Sequence, residues 1–272
     1  MKREPIFAKQ GWYPAKEKAL KETLNSYFKT QDAPVPAYGV LAPHAGYSFS
    51  GAIAGSAYSQ IEPPTRAVIF AVNHRGFPNV PDLSLWSGEE WRTPIGDIAI
   101  DVELRDALSN YDIFTLDEDA HHSEHSAELQ MPFLLHLNPA IKINVICISG
   151  RCKLDILLRA GTAVANASKK LGAPVLVVGS GDFSHEKMQT AEYNRKQDEA
   201  SFPYIENIDP DGFHNIVLEK NISTCGLGTF TATLAACREM GAQKATLADY
   251  GSSARDKDIQ DYVVSYASFV IR

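Results

Sequence analysis

Residues 38–60, YGVLAPHAGYSFSGAIAGSAYSQ, decide the fold of this chain. The stretch begins with the short apolar run Tyr38–Ala42, which predicts a buried strand. A turn containing Pro and Gly follows, and the small residues of Ala52–Gln60 then predict a helix. A strand, a loop and a helix in this order form the repeating unit of α/β proteins.

The same order recurs along the chain. Further apolar runs at Arg66–Val72, Lys142–Ser149 and Pro174–Gly179 predict strands, and a helix is predicted over residues 153–171. These strands are apolar along their whole length rather than alternating, which is typical of a parallel sheet covered on both faces. The predicted fold class is therefore α/β, a three-layer α/β/α sandwich with a mostly parallel central sheet.

The remaining segments extend this unit without dividing it. Leu83–Asp101 predicts an added hairpin, and the alternating segment Tyr262–Ile271 predicts a closing strand. No linker, repeat or block of charge separates two parts of the chain. We therefore expect one domain over residues 1–272, with residues 1–35 as an N-terminal appendage packed on the core.

Composition excludes several classes of function. The 272 residues carry 26 basic and 33 acidic side chains, for a net charge of −7, and the mean hydropathy is −0.19. An acidic chain without a basic cluster argues against binding to nucleic acid or to an anionic membrane. No apolar run reaches the roughly 20 residues of a transmembrane helix, and no signal peptide is recognisable. A cytoplasmic location is expected.

Four cysteines are present, and no two are spaced as C-x-x-C. This spacing excludes a zinc ribbon or a disulfide framework. Cys147 lies in a predicted strand and Cys237 in a predicted helix, so both are expected in the core, whereas Cys152 has no evident partner. Cys225 directly precedes a predicted helix, and a helix N-terminus is expected to lower the pKa of its thiol.

Residues whose side chains can bind metal or take part in catalysis follow the predicted strands. His44 follows the first strand, His74 the second, and Asp182 and His185 the fourth, while Cys225 precedes a helix. A single histidine in a loop is more often a surface or capping residue than a ligand. Ligands of α/β sheets bind beyond the carboxyl ends of the strands, so the convergence of these five residues at one edge predicts a functional site.

A denser cluster, DEDAHHSEHSAELQMP, occupies residues 117–132. A purely structural interpretation is an acidic loop in which Ser123 or Ser126 caps a helix. His125 and Glu128 are three residues apart and could share a helical face. We expect His125 and Glu128, together with Tyr47, to line the pocket rather than to bind a metal.

At these residues the chain resembles the Memo family, whose archaeal and bacterial members are often called AmmeMemoRadiSam system protein B. The matching motifs run from near residue 38 to the C-terminus; they are LAPHAGYSFSG (Leu41–Gly51), TPIGD (Thr93–Asp97), EHSAELQMPF (Glu124–Phe133), GSGDFSH (Gly179–His185), TCG (Thr224–Gly226) and YGS (Tyr250–Ser252). The family is similar in fold to class III extradiol (LigB-type) dioxygenases, which hold Fe(II) with two histidines and a glutamate.

Carried over by motif, the resemblance implies that His44 and His74 are metal ligands and that Cys225 replaces the glutamate. It implies His185 as the acid/base residue, with Asp182 beside it. A thiolate makes such a site softer, so Fe(II) or Cu(I) is expected and zinc is also compatible. Because of this exchange, ring-cleaving activity does not transfer directly.

The resemblance thus implies a metal-binding, redox-linked protein, with a metal-dependent oxidase or dioxygenase-like enzyme in a modification pathway as the expected activity. Radical SAM and AMMECR1-type proteins are the implied pathway partners, and the implied ligand is a small molecule or a peptide. One alternative is a metal-free enzyme in which Cys225 is the nucleophile, His185 the base and Asp182 the orienting acid. Another is a non-catalytic module that binds a peptide or protein between apolar walls formed by Pro43, Tyr47, Phe49 and Phe183.

Overall fold

The structure is a computed structural model that describes residues 1–28, 33–75, 80–254 and 258–272. Over these residues the strands are β1 (Lys2–Arg3), β2 (Gly39–Ala42), β3 (Arg66–Val72), β4 (Leu83–Trp86), β5 (Glu90–Thr93), β6 (Gly96–Ile100), β7 (Thr115–Asp117), β8 (Lys142–Ile148), β9 (Leu176–Ser180), β10 (His185–Gln189), β11 (Ala245–Ser252) and β12 (Gln260–Ile271). The helices are α1 (Ile6–Lys9), α2 (Glu17–Tyr27), α3 (Tyr47–Tyr58), α4 (Val102–Ser109), α5 (Asp119–His122), α6 (Met131–Leu137), α7 (Leu154–Leu171), α8 (Ala191–Glu199), α9 (Phe202–Glu206), α10 (Pro210–Glu219) and α11 (Leu227–Met240).

The strands form one large sheet in the order β1-β5-β6-β8-β3-β9-β2-β12-β10. The strands β6, β8, β3, β9 and β2 pair in parallel. The strand β12 is antiparallel to β2, β10 and β11. The predicted α/β class with a mostly parallel sheet is confirmed.

Both faces of the sheet are covered, as the apolar strands predicted. In β3, Val68 and Phe70 belong to a core that also contains residues of α7 and α11, such as Val164 and Leu234. The alternate residue Ile69 belongs to the second core, which includes residues of α2, α3 and α6. Successive side chains of a strand point to opposite faces, so every central strand contributes to both cores.

Two local predictions differ from the structure. The helix after the first strand begins at Tyr47 instead of Ala52, because the loop from β2 to α3 is only four residues long. The predicted hairpin is formed by β5 and β6, and Gly96 at its turn has a φ of +145° that favours glycine. The first run of that segment, β4, pairs instead with β7 and β8.

Residues 1–28 lie against the second core, to which Phe7, Tyr13 and Leu20 belong. Within the described ranges, no helix has both the length and the apolar character needed to cross a bilayer. The cytoplasmic location and the assignment of a single domain stay predictions.

Candidate metal centre

The site lies where three neighbouring parallel strands end. His44 is two residues beyond β2, His74 two beyond β3, and Asp182 two beyond β9. Because β9 lies between β2 and β3 in the sheet, their carboxyl ends bring these residues together. The sheet thus places His44, His74 and Asp182 at one edge, where α/β proteins bind ligands.

A hydrogen bond at Nδ1 holds the His44 ring and leaves the lone pair of Nε2 for a ligand. Its Nδ1 lies 3.0 Å from Ser180 Oγ. That hydroxyl donates its proton to Ser126 O at 2.7 Å and accepts from Gln130 Nε2 at 2.9 Å. Ser180 Oγ can therefore only accept from His44, so the proton of the neutral imidazole is on Nδ1 and Nε2 keeps its lone pair.

The protonation state of His44 follows from its surroundings. The side chain is 1% exposed. Burial lowers the pKa of His44 well below its ordinary value, and the neighbouring histidines, chiefly His74 and His125, lower it further. His44 is therefore a neutral imidazole, the form that binds metal.

His74 is held by a buried carboxylate. Glu124 accepts from His74 Nδ1 at 2.9 Å and from the His74 main-chain N–H at 2.8 Å. Although burial opposes it, the hydrogen bond and charge of His74 lower the pKa of Glu124 to about 2. Glu124 is thus ionised and orients Nδ1–H, which leaves Nε2 of His74 for a ligand, as carboxylates commonly do behind metal-bound histidines.

His125 joins these two histidines from a neighbouring loop. The Ser126 hydroxyl donates to Val72 O and accepts from Val72 N, both at 3.0 Å, so the loop is attached to the end of β3. Ser126 therefore extends the strand end and does not cap a helix, which was the structural interpretation of this segment. The rings of His125 and His74 stack at a centroid distance of 4.4 Å.

The Nδ1 atom of His125 is buried and lies 3.2 Å from Glu124 Oε1, without the geometry of a hydrogen bond. Burial lowers the pKa of His125 to about 4, so this imidazole is also neutral at physiological pH. A ring nitrogen of His125 lies close to nitrogens of His44 and His74, an arrangement that packing alone does not require. It is the arrangement that a cation would stabilise.

Two groups of donor atoms overlap at His44. One ring nitrogen each from His44, His74 and His125 lies within 4.8 Å of the others. Donor atoms of His44, Asp182 and Cys225 meet the same distance, and Cys225 Sγ lies 3.4 Å from His44 Nε2. The three ligands implied by the resemblance, His44, His74 and Cys225, thus span both groups, and their assignment as ligands stays a prediction.

Cys225 lies at the N-terminus of α11, and Sγ accepts from the main-chain N–H of Asp182 at 3.1 Å. The expectation that this position lowers the pKa of the thiol is wrong for the metal-free chain. Burial, followed by the charge of the Asp182 carboxylate, raises the pKa of Cys225 well above its ordinary value. A bound cation would reverse this effect, because metal binding deprotonates a thiol.

Asp182 lies in the loop after β9, and His185 is the first residue of β10. Asp182 Oδ1 accepts from the main-chain N–H of His44 at 2.8 Å. His185 Nδ1 lies 2.7 Å from Phe183 O and 3.1 Å from Ser223 O. Because carbonyl oxygens only accept, Nδ1 of His185 carries a proton, and Nε2 is the nitrogen left for other contacts.

A buried network holds this loop in place. Asp198 of α8 accepts from Ser184 Oγ at 2.5 Å and from Tyr250 OH at 2.8 Å, and it also pairs with Ser265. The YGS and GSGDFSH motifs therefore meet at one carboxylate. This contact fixes the backbone between Asp182 and His185.

Glu128 and Tyr47 were expected to line the pocket, and the structure places both beside the N-terminal segment. The carboxylate of Glu128 pairs with Arg3 at 3.0 Å and accepts from Phe7 N at 2.8 Å and Tyr13 OH at 2.9 Å. Tyr47 is buried, and its hydroxyl donates to Leu129 O. Glu128 therefore anchors the N-terminus.

Two observations bear on the alternatives to a metal centre, which stay predictions. In the nucleophile alternative, His185 activates Cys225, but the ring beside Sγ is that of His44. In the binding-module alternative, Phe183 forms a wall, but its side chain is fully buried in the core. Phe49 alone among the proposed aromatic walls is mostly exposed.

Sequence reasoning did not single out Glu124. The signal was present, because a carboxylate next to a histidine in EHS is a candidate partner for ligand histidines.

Cys147 and Cys237 are buried as expected. The first group of donors, three imidazoles, and the nearby sulfur together form a set that suits copper, zinc or iron.

Comparison with known proteins places the chain in a family. The family profile described as Memo-like protein matches residues 3–270. The chain belongs to the Memo family. It is 32% identical to a MEMO1 family protein of Methanosarcina acetivorans, over 99% of this chain and 98% of that protein. It is 35% identical to a MEMO1 family protein of Methanococcoides burtonii, over 99% of this chain and all of that protein.

The fold of this Memo-family chain is also found in a solved structure. An uncharacterized protein of Escherichia coli K12 superposes with a TM-score of 0.53, over 79% of this chain and 89% of that protein. The two sequences are 14% identical. This likeness concerns the fold alone.

Proposed function

We propose that this Memo-family chain is a metal-binding, redox-linked protein in which His44, His74 and His125 hold one transition-metal ion. The observation that carries the proposal is the meeting of three imidazoles within 4.8 Å. Two of them are oriented by hydrogen bonds from Nδ1 to Ser180 and Glu124. Ring nitrogens that lie this close together can bind one common cation.

The nearby sulfur makes the site suitable for redox-active metals. Cys225 Sγ, 3.4 Å from His44 Nε2, is the fourth donor in this proposal. A set of three imidazoles and one thiolate suits copper and iron and also accepts zinc. Copper or iron would supply one-electron redox chemistry when bound.

The chain's own residues support that chemistry in three ways. Glu124 and Ser180 hold the rings, and Asp182 fixes the main chain at His44. His185 accepts or donates a proton at Nε2, because its Nδ1 is engaged by carbonyl groups. Acid/base work of this kind suits a histidine near neutral pH.

Metal content after anaerobic purification tests the proposal. Elemental mass spectrometry is expected to find about one equivalent of metal per wild-type chain. His74→Ala is expected to lose most of this metal. His122→Ala is the matched control, because His122 is exposed and lies in the same segment as His125. Equal metal content in the wild type and in His74→Ala would contradict the proposal.

The role of the sulfur is tested separately with Cys225→Ser. This variant is expected to bind Cu(I) much more weakly than the wild type, with a far smaller loss for Fe(II), because only the soft ion depends strongly on the thiolate. Cys237→Ser is the control, since Cys237 lies in the core. Full retention of Cu(I) affinity in Cys225→Ser would show that Cys225 does not bind the metal.

A further inference from the structure

A cavity of about 270 Å³ adjoins the candidate metal centre on the side of α11. Cys225 forms part of its wall, and Cys152, on the loop between β8 and α7, forms another part. Since Cys225 Sγ lies 3.4 Å from His44 Nε2, a molecule in this cavity would contact the sulfur at the edge of the centre.

The walls of the cavity are apolar and uncharged. Val72, Ile148, Leu157 and Leu227 contribute aliphatic side chains, and none of the lining residues in the described ranges carries a charge. An ion transferred into such surroundings would lose its hydration without gaining a partner, which is strongly unfavourable. The cavity therefore selects an uncharged group.

The two threonine hydroxyl groups at the cavity donate hydrogen bonds to main-chain oxygens. Thr224 donates to Asp182 O at 2.7 Å, and Thr229 donates to Ser180 O at 2.9 Å. The threonines thus present methyl groups to a ligand, and the polar side-chain groups that remain are the two thiols and the Ser149 hydroxyl. An apolar group gains most from such walls, because burial of apolar surface is the main favourable contribution.

The volume restricts the size of the ligand. Pockets for drug-sized molecules are about 300–1,000 Å³, and this cavity is slightly smaller. One aromatic ring or a short branched chain fits the available space, whereas a folded peptide segment does not.

We propose that this cavity is the substrate pocket of the metal centre and binds the uncharged, apolar group of a small molecule against Cys225. The proposal rests on the proposed function, because it assigns a substrate class to the same centre. The ring or chain lies between the first turn of α11 and the aliphatic side chains of β3 and β8. The reacting part of the molecule is then held beside His44 and Cys225.

Two substitutions of lining residues fill the cavity. A Cβ atom at Gly228 would lie 3.0 Å from Ile148 Cγ2 and 3.6 Å from Leu157 Cδ2, so Gly228→Leu places its side chain among the aliphatic walls. Cys152→Phe adds a ring from the loop between β8 and α7 and provides a second blocking variant if the first fails to fold. Asn25→Leu is the control, because it adds an apolar side chain on the exposed face of α2.

The test uses phenol as the neutral probe and benzoate as its charged counterpart, titrated by ligand-detected NMR into the metal-free and the zinc-loaded chain. Phenol is expected to bind the wild type and Asn25→Leu equally and at least tenfold more tightly than benzoate does. Either blocking variant is expected to weaken phenol binding at least tenfold while zinc content is unchanged. The proposal would be contradicted if benzoate and phenol bound with equal affinity, or if phenol still bound to both blocking variants.

The same titration separates this proposal from the proposed function. If the chain fails to bind zinc, copper or iron but phenol still binds and is blocked by both variants, the pocket stands and the metal centre fails. If metal binds stoichiometrically and phenol does not bind the wild type, the proposed pocket is wrong and the proposed metal centre is supported.

Discussion

Replacement of Glu128 by Gln should detach the N-terminal segment from the core. The side chains of Glu128 and Arg3 are 0% and 1% exposed and lie 3.0 Å apart. In Glu128→Gln the Arg3 guanidinium stays buried without a counter-charge, and the main-chain N–H of Phe7 loses a charged acceptor. Loss of one member of a buried ion pair costs about 3–5 kcal/mol, a large share of the roughly 5–15 kcal/mol by which domains are stable.

The unpaired charge, and not the lost attraction, should account for most of this effect. Burial raises the pKa of Glu128 even though Arg3 lies beside it, and burial likewise lowers the pKa of Arg3. Desolvation therefore outweighs the attraction between the two groups. Removing both charges in Arg3→Met with Glu128→Gln should thus restore part of the stability.

Urea unfolding followed by circular dichroism measures the loss, with Glu17→Gln as a control on an exposed carboxylate. Cleavage by a protease within residues 1–15 should also become faster in Glu128→Gln. Phe7 and Trp12 lie 5.4 and 4.7 Å from the His125 ring, so metal should dissociate faster as well. A loss below about 1 kcal/mol, or a double variant as unstable as the single one, would refute this reasoning.

Three further predictions follow from buried contacts. Glu124→Gln should lower metal affinity about 10–100-fold in a chelator competition, since it no longer fixes the Nδ1 proton of His74; an unchanged affinity would contradict that role. Burial lowers the pKa of His121 to about 4, so below its unfolded pKa of about 6.5 the unfolded chain binds a proton that the folded chain excludes. Stability should therefore fall by about 3 kcal/mol relative to His121→Gln as the pH drops from about 7 to about 4, and parallel pH profiles would refute this. Gly161→Ala should lower the melting temperature despite its higher helix propensity, because the new Cβ would lie 2.6 Å from Ala232 O; an unchanged melting temperature would show that α7 and α11 can separate slightly.

Local sequence patterns predicted much of the fold correctly. The run Arg66–Val72 is a strand with the predicted bounds, because the six consecutive apolar residues that follow Arg66 have few other buried conformations. The helix at residues 153–171 differs by one residue from Leu154–Leu171. The pairing of β4 with β7 and β8 was not predictable, because it depends on contacts between residues far apart in the sequence.

The positions of His44, His74 and Asp182 could be predicted because each follows a recognisable strand, and parallel strands end at the same edge of a sheet. The sequence by itself thus determined the fold class, the family and the edge where the site lies. Only the tertiary structure showed that His125 stands among the histidines, that Glu124 holds His74, and that burial raises the pKa of Cys225. These properties depend on distances and on exclusion of water between separate segments, and local sequence encodes neither directly.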